Sequence, residues 1–156
     1  MVIDWEDYFM SLALLTAKRS KDPSTQVGAV FVNDQNHIVS VGYNGFPIGL
    51  GDVGLPWEKG NTWDTSKYFY VIHAEVNASL NKGSNSLLGS RLFVSLFPCN
   101  ECSKMLIQEG IKEIIYFEDK YPDKPEVLAS KRMLDLAKVP YRKFISQKDE
   151  INIKLK

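Results

Sequence analysis

Apolar residues recur at helical spacing from the start of this chain. In "IDWEDYFMSLALLTAKRSKDPS", Trp5, Tyr8, Phe9, Leu12 and Leu15 predict one amphipathic helix, with Asp4 as its cap and Asp22-Pro23 as its stop. The period then changes. "QVGAVFV" and "HIVSVGY" are short β-branched runs on either side of "NDQN", which predicts a hairpin. Periodicity is lost over about 44–71, an insert dense in Gly and Pro. Loops of that length inside a compact domain are functional or disordered. Five aromatics at its far end, Trp57, Trp63, Tyr68, Phe69 and Tyr70, argue against disorder.

Regular patterning returns with "HAEVNASLNKG", a helix ended by Gly83, and "SRLFVSLF", a strand. "CNECSKMLIQEG" predicts a second helix closed by Gly110, "KEIIYFED" a strand, "PEVLASKRMLDLAKV" a last helix, and "PYRKFI" a last strand. The charged tail 146–156 is expected to fray. A hairpin followed by β-α-β-α-β predicts a single α/β domain over 1–156, a three-layer α/β/α arrangement around a five-stranded mixed sheet. Right-handed crossovers would bring "HAE" and "PCNEC" together at the starts of two helices flanking that sheet.

Composition narrows the function. Lys plus Arg and Asp plus Glu number 19 each, so no basic surplus exists for gripping nucleic acid or anionic lipid. The acidic start "MVIDWEDYF" and the lack of any membrane-length apolar run predict a cytoplasmic protein with no membrane association. A standing disulfide is not expected there.

Both cysteines lie in "SLFPCNECSKML". Cys99 and Cys102, three apart at a helix start, suit thiolate ligands to zinc and equally a redox pair. Of the two histidines, His37 falls at the hairpin tip, where a solvated role is expected. His73 opens a helix after the apolar "YVI". It is either a core histidine bonded to backbone or a third metal ligand that leaves a fourth position for water. Glu75 could merely complement the helix dipole, but beside this set it could also move the protons of a hydrolytic reaction. Together the four residues point to hydrolytic attack on an electrophilic carbon.

"HAE" with "PCNEC" is the H-x-E…P-C-x-x-C signature of the zinc deaminases. Within that superfamily the chain resembles the deoxycytidylate (dCMP) deaminases from about Leu12 to Phe144, through "RSKDPSTQVGAVFVN", "VGYNGFPIG", "YVIHAEVNASL", "GIKEIIYFEDKYPD" and "YRKF". The resemblance implies hydrolysis of dCMP to dUMP and ammonia, supplying thymidylate synthesis. It implies one Zn2+ per chain on His73, Cys99 and Cys102. Glu75 would take the water's proton, protonate the ring nitrogen and later the leaving ammonia. The backbone at Ala74 would orient the pyrimidine, Val27 would pack on the base, Asn44 would bond the sugar hydroxyl, and Tyr121 would cover the base. Lys21, Ser24 and Lys120 are the candidates for the 5′-phosphate.

The family also implies regulation, with dCTP and Mg2+ activating and dTTP inhibiting, in a homohexamer. Gly42, Tyr43, Asn44, Gly45 and Gly49 of "GYNGFPIG" would take part, their glycines letting backbone N–H groups approach phosphates or else simply shaping a turn. Three departures stand out. The insert lacks the Cys and His of relatives with a second, structural zinc, so aromatic packing is expected to hold it. Thr25 replaces an Arg frequent before "QVGA", and Ser79 replaces an aliphatic residue. The rival readings are a deaminase of tRNA adenosine, a free nucleoside or dCTP, a C-x-x-C oxidoreductase, and a non-catalytic zinc module.

Overall fold

The computed structural model describes residues 2–51 and 53–156; Asp52 of the predicted insert lies outside them. The described elements run α1 (Trp5–Ala17), β1 (Gly28–Val32), β2 (Ile38–Tyr43), a 3-10 turn (Lys67–Phe69), α2 (Ala74–Leu80), β3 (Arg91–Leu96), α3 (Asn100–Gln108), β4 (Glu113–Glu118), α4 (Pro125–Leu136) and β5 (Tyr141–Lys143). Five strands form one mixed sheet in the order β2-β1-β3-β4-β5. β1 pairs antiparallel with both β2 and β3, and β3, β4 and β5 are parallel. This is the expected three-layer arrangement. No described helix is long and apolar enough to cross a membrane.

Alternation along the strands divides the core between two faces. Ala29, Phe31, Leu92, Val94 and Ile114 point to α2, α3 and α4, meeting Ala74, Ala78, Leu106 and Leu134. Val30, Val32, Phe93 and Ile115 point the other way, onto Phe9, Met10 and Ala13 of α1. Each strand buried on both faces reads as a continuous apolar run, as "GAVFV" does.

The first helix departs from expectation. It ends at Ala17, five residues before Asp22, and the Asp4 side chain makes no capping bond. Its inward face is Phe9, Met10, Ala13, Thr16 and Ala17, while Trp5, Tyr8 and Leu15 are exposed. Small residues decide this. The helix lies so close to β1 that a Cβ at Gly28 would sit 1.9 Å from the Ala13 carbonyl oxygen. Ala13 and Ala17 permit that approach, with Phe9 and Met10 inward beside them and Trp5, Tyr8 and Leu15 turned out.

Ser79 is not a loss. Its buried hydroxyl donates to Glu109 Oε1 at 2.9 Å, so the α2–α3 contact contains a hydrogen bond where an aliphatic side chain would pack. The tail forms no helix or strand.

The insert is tied down by backbone bridges between Gly45 and Ile72 and between Lys59 and Ser66. Aromatic packing holds it only in part. Phe46 and Trp57 stack with ring centroids 4.0 Å apart, and the Tyr70 hydroxyl donates to the Trp63 carbonyl. Trp63, Tyr68 and Phe69 are exposed instead. The 3-10 turn "KYF" thus reverses the usual order, with Lys67 buried and its two aromatic neighbours outside.

Candidate active site

His73 and Cys99 are the N-cap residues of α2 and α3, both in extended backbone conformation. Glu75 and Cys102 follow within the first turns of the same helices. Two helix starts therefore deliver four functional side chains to one point, and both helix dipoles favour negative charge there. His73 Nδ1 lies 3.4 Å from Cys99 Sγ and 3.4 Å from Cys102 Sγ. The Cys102 thiol is 3.4 Å from Glu75 Oε2. Among the described residues, His73, Cys99 and Cys102 are the one group of three whose ligand atoms all lie within 4.8 Å.

The cluster is open on one side. His73 is exposed and Cys99 half-buried, whereas Cys102 and Glu75 are buried. The charges couple strongly. The hydrogen bond from Cys102, followed by that of His73, lowers the Cys99 thiol to about 4. The same Cys99 thiolate raises His73 to about 9 and, together with burial, pushes Cys102 well above the ordinary thiol value. Burial also pushes Glu75 up. Two thiols and one ring nitrogen converging on one point are a fitting donor set for a tetrahedral zinc ion with an open position. A dication there would favour the second thiolate, which the protein alone does not.

Val27 and Ala74 are buried in one apolar cluster, and Tyr121 packs half-buried against it. Asn44 is buried, and its amide bridges neighbouring backbone. Its Oδ1 accepts from Val27 N at 2.8 Å and its Nδ2 donates to Thr25 O at 2.9 Å. One further amide hydrogen remains for a ligand.

Ser24 and Lys120 are brought together. Both line a cavity of about 460 Å³ at the C-terminal ends of β3 and β4, with Thr25, Gln26, Ser95 and Phe117. None of the four cluster residues lines it. Lys21 does not line it either; its ammonium faces Gly51 of the insert.

The glycines of "GYNGFPIG" divide. A Cβ at Gly42 would lie 2.2 Å from Ala78 N and 2.7 Å from Ala74 O, so this glycine lets α2 rest on β2. Gly45 has open space around its Cβ position, and Gly49 has φ +84°. The Tyr43 ring lies under the Arg19 guanidinium at 5.9 Å.

Two neighbours of the site escape sequence reasoning. Lys124 Nζ stands 4.2 Å from the centre of the Tyr121 ring, on the far side of "DKYPDK" from Lys120. Lys67 reaches back to Asp22, which reads in sequence only as a helix stop. A lysine inside an aromatic run was the signal available.

The sequence profile described as "Cytidine and deoxycytidylate deaminase zinc-binding region" matches residues 3–118. A probable deoxycytidylate deaminase of Drosophila melanogaster is 52% identical over 157 residues, 97% of this chain and 77% of that protein. The deoxycytidylate deaminase of Homo sapiens is 50% identical over 153 residues, 97% and 85% of the two chains. Among solved structures, the dCMP deaminase of cyanophage S-TIM5 in complex with dCMP and dUMP superposes with a TM-score of 0.75 at 28% identity, over 92% of this chain and 99% of that one. With the His-Cys-Cys cluster and its buried glutamate in place, the chain belongs to the deoxycytidylate deaminase family.

Proposed function

We propose that this chain hydrolyses dCMP to dUMP and ammonia, with zinc held by His73, Cys99 and Cys102. One observation carries the reading: three zinc-type donors converge at two helix starts with a buried carboxylate against them. When bound, zinc supplies a water acidic enough to attack at neutral pH. Glu75 handles the protons. Burial raises its affinity for a proton, so it can carry two in turn: one from the attacking water to the ring nitrogen, then one from the new C4 hydroxyl to the departing amino group. Val27 and Tyr121 give the base apolar surfaces, the backbone at Ala74 orients it, and the free amide hydrogen of Asn44 meets the sugar hydroxyl. Ser24 and Lys120, which share a cavity, suit the 5′-phosphate, with Lys21 as a more distant cation.

The proposal extends to regulation by dCTP with Mg2+ and by dTTP. Gly45 and Gly49, together with Tyr43 and Asn44, are its candidate effector contacts, and Gly42 serves the α2 packing. Their support is the direct bonding of Asn44 to both Thr25 and Val27. A homohexamer is supported by the exposed apolar side chains of the insert, among them Ile48, Trp63, Tyr68 and Phe69. Two unpaired thiols suit a reducing, cytoplasmic setting.

The test is ammonia release from dC, dCMP and dCTP by the zinc-loaded protein, with and without dCTP as effector. Turnover is expected on dCMP above the other two. Glu75→Ala is expected to keep one zinc per chain and lose about a thousandfold or more in kcat. Substantial residual turnover in that variant would remove Glu75 from the proton path.

A further inference from the structure

We infer that Lys67 and Asp22 form a buried strut that fixes the segment from Ser24 to Val27, whose first three residues line the cavity, against the insert, making both of them positioning residues for the substrate of the proposed reaction. Lys67 Nζ lies 2.6 Å from Asp22 Oδ2, and the two side chains are 5% and 2% exposed. The same ammonium donates to Ser24 Oγ at 2.9 Å. Asp22 Oδ1 accepts from Ser24 N at 2.9 Å, Thr25 N at 3.1 Å and Ser24 Oγ at 3.0 Å. One carboxylate therefore holds the whole turn that leads into Val27.

The contacts close into a ring. From Thr25 and Val27 they pass through the Asn44 amide, and from Gly45 through a two-bond bridge to Ile72, the residue before His73. Lys67 completes the circuit, since its carbonyl accepts from Tyr70 and Val71 and its own N–H donates to Glu58 O. An ion pair with both charges out of water is costly unless its remaining hydrogen bonds are satisfied. Here Asp22 and Lys67 satisfy them on Ser24 and Thr25, two of the residues that line the cavity. A pair serving stability alone could be replaced by apolar side chains without loss. This one links residues 45 apart in sequence at the place where the insert meets the candidate substrate contacts.

The strut bears more directly on the 24–27 segment than on the zinc cluster, which its circuit reaches only through Ile72. His73 and Glu75 ride on α2, which is anchored separately by the fully buried Ala74 and Ala78. Its loss is therefore expected in KM more than in kcat.

The test uses the full-length zinc-loaded protein and the double variant Asp22→Asn/Lys67→Gln, which removes both charges and leaves neither ion buried alone. For dCMP, KM is expected to rise about tenfold or more, with kcat within about threefold and one zinc per chain retained. Unchanged KM with only a lower Tm, or a fall in kcat at constant KM, would overturn the inference. This kinetic arm rests on the proposed dCMP activity. Backbone hydrogen exchange provides an arm that needs no substrate. In the double variant, amides of 24–27 and 67–72 are expected to exchange faster together; acceleration confined to one segment would overturn the strut. A wild-type protein inactive on dCMP would sink the functional reading alone, and exchange would still judge the strut.

Discussion

The zinc-type cluster and the insert adjoin each other but are built in opposite ways. The cluster is made of residues two and three apart in sequence, placed at the first turns of two regular helices that lie on one face of the sheet. Among its described residues the insert has one short 3-10 turn and two isolated bridges, and its buried ion pair spans 45 residues. The cluster side chains thus sit on elements whose geometry the backbone itself determines. The segment from Ser24 to Val27, proposed to receive the rest of the substrate, depends on individual side-chain bonds. A change to the scaffold should accordingly damage everything, and a change to the insert should damage binding and local order first.

Gly42→Ala tests the scaffold and should have the largest effect. The added methyl would meet Ala78 N and Ala74 O at distances no Cβ tolerates, so α2 must move off β2 and carry His73 and Glu75 with it. Overpacking of this kind costs about 3 kcal/mol, and a shift of about 1 Å at a reacting group costs about a hundredfold in rate. Thermal unfolding and turnover of the folded fraction check both. An unchanged Tm would mean that α2 yields easily, and the rigid half of the comparison would fail.

Legibility in the sequence follows the same division. The cluster residues were readable because the ligand types are few and their spacing fits helix starts. The strand and helix order was readable because each core run is continuous or periodic. The inward face of α1 was misread because Trp5, Tyr8 and Leu15 outweigh Ala13 and Ala17 in any apolar count, while the close approach to Gly28 selects the small residues. Lys67 is passed over in sequence for a related reason. Local composition assigns a lysine to solvent and its aromatic neighbours to the interior, and only a partner 45 residues away reverses that. The cavity containing Ser24 and Lys120 likewise depends on which loop ends meet, a fact no short window contains.

Trp57→Ala probes the aromatic packing of the insert and alters neither charge of the strut. It removes one ring of the Phe46–Trp57 stack, an interaction worth about 1 kcal/mol beyond the area it buries. Global Tm should move by a few degrees at most, with zinc content unchanged. Limited proteolysis should become faster between Phe46 and Ser66. Equal protease resistance in the two proteins would show that the bridges at Gly45–Ile72 and Lys59–Ser66 order the insert without aromatic help.

The smallest expected effect lies in the pH dependence of stability, and it separates charge from geometry in the strut. Burial by itself would push the Asp22 carboxyl up, but the Lys67 ammonium and the N–H groups of Ser24 and Thr25 bring it below its ordinary value. A carboxylate depressed in the folded state adds stability that is fully present above the unfolded value of about 4 and is lost as pH falls through the folded one. Between about pH 5 and 8, wild type should therefore exceed Asp22→Asn in Tm by a constant margin, and the margin should shrink as pH falls below about 4. Among the described residues, the Lys67 ammonium contacts this carboxylate at 2.6 Å, and the change expected below about pH 4 is that of the Asp22 carboxylate. A margin that persists undiminished at pH 3 would mean that hydrogen-bond geometry, and not charge, holds the turn. The pocket wall would then owe its position to the shape of the Asp22 side chain, with Lys67 merely filling the space beneath it.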